Sequence, residues 1–323
     1  MLAQVQITFW HWAGFILGVL IFVGLDLFVF HKDARSVKFK EALAWTSLCV
    51  VLAMAFGACL VPMRGRTEAL EFITGYIIEL SLSMDNVFVI AVIFSYFRVP
   101  PEFQNRVLFF GIAGAIVMRG LMIGLGTMLV QKFHAILYIM GAFLIYSGIK
   151  MLFSKEEGVH PERNPFIRLA QRFFPVSTTF DGQKFFTRLN GRRALTPLAL
   201  VLLMVETTDL IFAVDSIPAI FAVTTKPFII FTSNIFAILG LRSLYFVLVG
   251  AIEYFRYLKY GLSIVLVFIG AKMVVDIWDV KIPIMISLLV VGGIILTSVL
   301  ASVMLVKKEH PTPPEKSPPP PQA

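Results

Sequence analysis

At 323 residues, 58% hydrophobic and only 15% charged, the chain is too apolar for an ordinary soluble domain. Its net charge of +8 would suit a nucleic-acid binder, but the basic residues gather in alternate loops between apolar runs, which argues against nucleic acid as a partner. Cys49 and Cys59 share one apolar run, so they read as small buried hydrophobes and exclude a disulfide framework or a zinc cluster.

About 20 apolar residues cross the hydrocarbon core of a bilayer as a helix. The sequence predicts nine such spans, near 9–30, 42–62, 69–97, 107–130, 132–152, 195–223, 228–250, 258–276 and 282–305. The first lacks a basic start and a small-residue cleavage site, so it reads as a retained span. With the N-terminus outside, the loops that alternate to the inner side carry 19 Lys/Arg and the outer loops carry 5. That excess marks the cytoplasmic side, so the expectation is a multi-pass protein of the cytoplasmic membrane with its C-terminus inside.

The first span carries Asp26 near its inner end, next to the basic loop Lys32, Arg35, Lys38 and Lys40 that can pair with it. His11 and His31 fall at the two ends of that span. The second span has no charged residue from Leu43 to Met63 and reads as packing. These two form an N-terminal segment, 1–68.

The third span holds Glu79-Leu-Ser-Leu-Ser-Met-Asp85-Asn86. A carboxylate in the bilayer interior is costly without a cation, a proton or a polar partner, which makes it a functional candidate. At 100° per residue Glu79, Ser83 and Asn86 share a face, while Asp85 lies about 120° from Glu79. All four converge only if the helix is locally irregular or the site reaches across helices. Arg119, well inside the fourth span, is the expected counter-ion.

Residues 153–194 form a polar connector. Within it, 164–174 alternates apolar and basic residues as an interfacial helix at the lipid surface would. Asn190-Gly191 predicts a small hairpin turn. Thr196-Pro197 then supplies an N-cap and a first-turn proline for the sixth span. That span carries the second acidic stretch, Glu206, Asp209, Asp215 and Ser216, with Pro218 expected to kink or open the helix just beyond. Thr232-Ser233-Asn234 and Arg242 follow in the seventh span; Asn234 has the chemistry of an extra oxygen ligand. The tail has seven prolines in residues 311–323, predicted to be extended and a candidate docking segment for a cytoplasmic partner.

Spans three to five match spans six to eight. Asp85-Asn-Val-Phe88 aligns with Asp209-Leu-Ile-Phe212 at an offset of 124, Arg119 with Arg242 at 123, and Tyr138 with Tyr260 at 122. Gly148-Ile-Lys150-Met151 aligns with Gly270-Ala-Lys272-Met273, also at 122. Three spans per unit is odd, so the second copy must cross in the opposite sense. The reading is an all-α polytopic membrane protein of about nine helices with an inverted repeat of three: 69–152 and 195–276. A C-terminal helix (277–306) and the tail (307–323) complete it. Transporters built this way interrupt a helix in each copy and bind substrate near the midplane.

Carboxylates with Asn and Ser oxygens suit Mg²⁺, Ca²⁺ or Mn²⁺, and the absence of His and Cys beside them argues against zinc or copper. The expected metal ligands are Glu79, Asp85, Asn86, Glu206, Asp209 and Asp215, supported by Ser83, Ser216, Asn234, Arg119 and Arg242. No permanently bound cofactor is expected, and carboxylates held out of water can also carry protons. Two other readings stand beside this one. The acids and arginines can form a purely structural network in a non-transporting scaffold of a stress complex. An intramembrane aspartyl protease would need an aspartate in a Gly-Asp context; neither Asp85 nor Asp209 follows a glycine, so no enzyme is expected.

Thr74-Gly-Tyr-Ile-Ile-Glu79 through Asp85-Asn-Val-Phe88, Phe94-Ser-Tyr-Phe97, Phe212 to Thr224 and Thr232 to Arg242 resemble the TerC family of integral membrane proteins, its Alx-like branch above all. The resemblance covers nearly the whole chain apart from the proline tail, which departs from the family pattern. It implies a link to tellurium resistance in name and Mn²⁺ export in the Alx-like branch. It also implies a distant kinship with inverted-repeat cation exporters. Its acidic positions fall on Glu79, Asp85, Glu206, Asp209 and Asp215. An acidic pocket would repel tellurium oxyanions, so the resistance label does not imply that they are the cargo.

Overall fold

A computed structural model describes residues 6–25, 39–153, 164–189, 191–250, 258–278, 280 and 282–309. Asp26, His31, the basic residues Lys32, Arg35 and Lys38, Asn190 and the proline tail lie outside the described residues. Among the described residues the protein is all-α apart from one small hairpin, with eight helices long and apolar enough to cross a membrane and a shorter apolar helix before them.

That shorter helix is α1, Phe9–Leu25. Helix α2, Phe39–Arg64, is broken from α3, Arg66–Tyr96, by Gly65 at φ +93°, a backbone angle that L side chains resist. Helix α4, Pro101–Lys132, starts six residues ahead of the predicted span. Pro101 can open a helix because its missing N–H would have had no partner there, and the polar first turns stand outside the apolar run. Helix α5 is Ala135–Phe153.

The connector folds as the sequence predicts. Asn164 caps α6, Pro165–Phe173, accepting from the amides of Phe166 (2.9 Å) and Ile167 (3.2 Å). Only Ile167 of this helix is buried, while Phe166, Leu169 and Phe173 are exposed, the pattern of a helix lying along an apolar surface. Strands β1, Phe186–Leu189, and β2, Arg192–Leu195, pair antiparallel with Leu189 opposite Arg192. Gly191, at φ +79°, closes the two-residue loop. Thr196 joins this hairpin to α7, Pro197–Phe221. Its hydroxyl donates to the Lys184 carbonyl (2.7 Å) and accepts from the Ala199 amide (3.3 Å).

Helices α8 (Pro227–Val249), α9 (Leu258–Val275) and α10 (Ile284–Glu309) complete the bundle. The centre is α3 and α8, whose apolar stretches are 56% and 67% buried against 11% for α10. Helix α3 packs on α2, α7, α8 and α10; α4 on α7 and α8; α5 runs along α9. The three pairs α3–α7, α4–α8 and α5–α9 therefore join the helices that the sequence offset matches. At the last of them Gly141 faces Gly270, and Gly148 faces Ser263. The offset of 122 maps Gly141 onto Ser263 and Gly148 onto Gly270, so each contact is the other's counterpart.

The helix ends group on two faces as the alternation of spans requires. On the connector face Tyr245 donates to Gln104 (3.1 Å), Gln183 to the Glu102 carbonyl (3.3 Å) and Asn164 to the Met204 sulfur (3.2 Å). On the far face the α2–α3 turn meets the α7–α8 connection through Glu71, Thr224 and Lys226.

Both acidic helices are continuous. The sequence led us to expect an interruption in each copy, but α3 is unbroken from Arg66 to Tyr96 and α7 runs through Pro218 to Phe221. Pro218 gives up its own bond to the Val214 carbonyl without ending the helix.

Candidate functional site

Glu79 lies 13 residues into α3 and Asp209 lies 12 residues into α7, each roughly 18–20 Å from its helix start at 1.5 Å per residue. The two helices run in opposite senses, so both carboxylates come to the middle of the bundle. Arg119, 1% exposed, reaches them from the middle of α4.

The guanidinium organises the centre. Its Nη2 donates to Asp209 Oδ1 at 3.1 Å and its Nε to Oδ2 at 3.5 Å. Its Nη1 is ion-paired with Glu79, donates to Ser216 Oγ at 3.1 Å and reaches Asn234 Oδ1 at 3.4 Å. Asn86 Nδ2 donates to Asp209 Oδ1 at 3.2 Å. Six of the expected residues therefore meet: Glu79, Asn86, Arg119, Asp209, Ser216 and Asn234. They come from α3, α4, α7 and α8, so convergence is achieved across helices and not by unwinding one.

Polar groups in this cluster are incompletely used. Glu79 Oε2, Ser83 Oγ, Asn86 Oδ1 and Asn234 Nδ2 are buried with no hydrogen-bond partner among the described residues. Orphaned buried polar atoms are rare in folded proteins. Three of these four atoms are oxygens.

Asp85 and Asp215 occupy a neighbouring space. They line a small cavity of about 10 Å³ with Asn86, Arg119, Ser216 and Met151, room for a single water-sized particle. Ser147 of α5 donates to Asp215 at 2.7 Å. Cationic side chains within electrostatic reach are Lys259 for Asp85 and Lys150 for Asp215. Glu206 points elsewhere, its carboxylate against Gly114 of α4, where any side chain would collide with it. Arg242 lies buried eight residues beyond Asn234 on α8, about 12 Å further along the axis and on a different level.

Ser147, Gly114 and the acidic residues Glu68 and Glu71 did not stand out in the sequence. Ser147 adjoins the Gly148 motif, and Glu68 and Glu71 sit where the third span begins and read as its polar edge. Lys226 reads as an ordinary loop cation.

All donors in the cluster are oxygen or nitrogen of carboxylate, amide, hydroxyl and guanidinium groups, a set matched to hard cations. Among the described residues no three His, Cys, Asp or Glu converge on one point. The place where carboxylates do meet is taken by Arg119. Two buried carboxylates share one buried guanidinium, and Asp85 and Asp215 adjoin them. The centre is thus an oxygen-rich acidic site closed by a cation that belongs to the protein.

The family model described as "Integral membrane protein TerC family" matches residues 64–310. The "Uncharacterized membrane protein STKORF319" of Myxococcus xanthus is 53% identical over 291 residues, 90% of this chain and 91% of that protein. The "Putative membrane-bound redox modulator Alx" of Escherichia coli (strain K12) is 48% identical over 297 residues, 89% of this chain and 92% of that protein. The "Thylakoid membrane protein TERC, chloroplastic" of Arabidopsis thaliana is 45% identical over 264 residues, 82% of this chain and 69% of that protein. No solved structure matches the chain.

Proposed function

The chain belongs to the TerC family of integral membrane proteins, and from that premise we propose that it exports a divalent cation, Mn²⁺ as the principal substrate, across the cytoplasmic membrane. The observation that carries this reading is the buried mid-bundle cluster of Glu79, Asp209, Asn86, Ser83 and Ser216. Glu79 Oε2, Ser83 Oγ and Asn86 Oδ1 have no hydrogen-bond partner among the described residues, and the tethered Arg119 is the cation that meets both carboxylates. A protein that needed these acids for packing alone would satisfy them, since an unmet buried polar group costs about 1–3 kcal/mol.

The mechanism follows from charge. A divalent cation that reaches Glu79 and Asp209 replaces the guanidinium, and Arg119 returns to them when the ion leaves. The carboxylates are then never left uncompensated in the membrane interior. Asp85 and Asp215 widen the site toward the adjoining cavity, while Glu206, turned toward Gly114, stands apart from it. A proton taken up by these carboxylates on the return step would couple the cycle to a proton gradient. The inverted repeat belongs to this proposal, supported by the opposed courses of α3 and α7 and the reciprocal contacts of α5 and α9. So does the inside placement of the connector face, supported by the loop charges.

The name of the Alx relative speaks of redox modulation. In this chain Cys49 and Cys59 sit ten positions apart on α2, about 15 Å along its axis, too far to bridge one another.

The test is Mn²⁺ uptake into inside-out vesicles, with Asp85→Asn and Asp209→Asn compared with wild type at matched expression. We expect uptake in wild type, abolished or cut at least about a hundredfold in both variants, since a lost charged ligand costs several kcal/mol. Wild-type vesicles that take up no Mn²⁺ under either proton gradient would overturn the reading in favour of a non-transporting scaffold.

A further inference from the structure

Helix α3 carries more polar residues than the central cluster uses. Taking 100° per residue, Glu68, Glu71, Gly75, Glu79, Ser83 and Asn86 all fall within one arc of about 120°. All four acids and amides among them are at most 9% exposed. They form a stripe, interrupted by Phe72 and Leu82, that runs from the far face to the centre. Helix α8 lies against it and contributes Thr232, Ser233 and Asn234, each fully buried. The hydroxyls of Thr232 and Ser233 donate to carbonyls of their own helix at 2.8 Å, which leaves their oxygen lone pairs turned outward. Gly75 is where the helices close on each other, since a methyl there would stand 3.0 Å from Ser233 Oγ and 3.1 Å from Ile220.

The far end of the stripe is sealed by one network. Lys226 Nζ, from the α7–α8 connection, binds Glu71 at 3.0 and 3.1 Å and lies 3.3 Å from Glu68. Thr224 donates to Glu71 at 2.8 Å, and Arg64 grips Glu68 at 2.7 and 3.0 Å. These contacts tie α2, α3 and the α7–α8 connection together. The glutamates are buried while the Lys226 side chain is 42% exposed, so the lysine faces water and the acids face inward.

We infer that the Lys226–Glu71–Glu68 network is the far-face gate of the cation path, with the Lys226 ammonium standing as a tethered cation over the mouth of the α3 stripe. The inference rests on the transport reading for what passes through, but not for the gate itself. Lys226 and Arg119 then share one logic: each end of the stripe is neutralised by a cation of the protein, and an ion moving along it displaces one and then the other.

Thiol accessibility tests the gate without any transport measurement. The full chain, with Cys49 and Cys59 replaced by Ala, carries Ser83→Cys as the reporter and meets a membrane-impermeant cationic thiol reagent from the far face. With the gate intact the reporter labels slowly. Lys226→Met and Glu71→Gln should each raise the rate at least about tenfold, the effect of weakening closure by a factor of ten. The swapped pair Glu71→Lys with Lys226→Glu should return it toward the slow rate, which separates gating from misfolding. Unchanged labelling in both single variants, or a swapped pair as fast as they are, would overturn the gate. Labelling that behaves as expected, when the wild-type chain with Ser83 intact moves no Mn²⁺, would keep the gate and sink the proposed cargo.

Discussion

Two pairs of helices cross the bundle and solve opposite problems. Helices α5 and α9 meet through Gly141, Gly148, Gly270 and Ser263, close enough that a methyl at Gly270 would come within 2.6 Å of the Gly141 carbonyl oxygen. Helices α3 and α7 meet through carboxylates, amides and a guanidinium, with several polar atoms unmatched. Small residues in membrane helices allow close van der Waals packing with nothing left to satisfy. Buried ionic groups hold only while every charge has its partner. The α5–α9 joint is therefore the fixed part of the bundle, and the α3–α7 joint is the part with something to gain by rearranging.

The largest effect should come from removing the one charge on which the polar joint depends. Arg119→Met leaves Glu79 and Asp209 buried without a cation, an expected loss of about 3–5 kcal/mol in unfolding measurements on micelle-solubilised protein. Adding Glu79→Gln and Asp209→Asn to it should recover part of that loss. If Arg119→Met alone were as stable as wild type, the polar joint would not depend on ionic balance.

The dry joint breaks by overfilling. Gly270→Ala should cost about 1–3 kcal/mol, because the methyl meets backbone that cannot turn aside. Gly141→Ala strains the same contact, so the double variant should fall short of the sum of the two, by an interaction of at least about 0.5 kcal/mol. Strict additivity would mean that the two glycines do not share one joint.

The smallest effect lies outside both joints, in the connector. The Thr187 hydroxyl, donating at 2.9 Å, and the Lys184 ammonium hold the exposed Asp181 carboxyl below the usual carboxylate range. A lowered pKa in the fold means its contribution is present above the ordinary value of about 4 and is lost as pH falls through the lowered one. The protection of the β1–β2 amides against hydrogen exchange should weaken below about pH 4 in wild type. The weakening should be absent in Asp181→Asn.

Much of the fold was readable from local signals. Apolar length marked the spans, Asn190-Gly191 marked the hairpin, and Thr196-Pro197 marked the start of α7. The site was only half readable. The sequence placed Glu79 and Asn86 on one face of α3, and Glu206 and Asp209 on one face of α7. Which face of one helix meets which face of another depends on packing, and no angle within a single helix contains that. The sequence put both acidic stretches in one site with Arg119 as counter-ion, but which acids the guanidinium meets was not legible, nor was the turning of Glu206 toward Gly114. The expected helix interruptions failed for a related reason: four helices contribute to the cluster, so none needs to unwind. Glu68 and Glu71 were passed over because an acid near the end of an apolar run usually faces water, whereas the α7–α8 connection folds over these two.

The central claim is that α3 and α7 share one cation site. Its most direct test is Mn²⁺ binding to the purified full-length protein, followed by electron paramagnetic resonance of the free ion. The account predicts that wild type binds Mn²⁺ and that Glu79→Gln and Asp209→Asn, one on each helix, lose the same binding. Undiminished binding in either variant would contradict it.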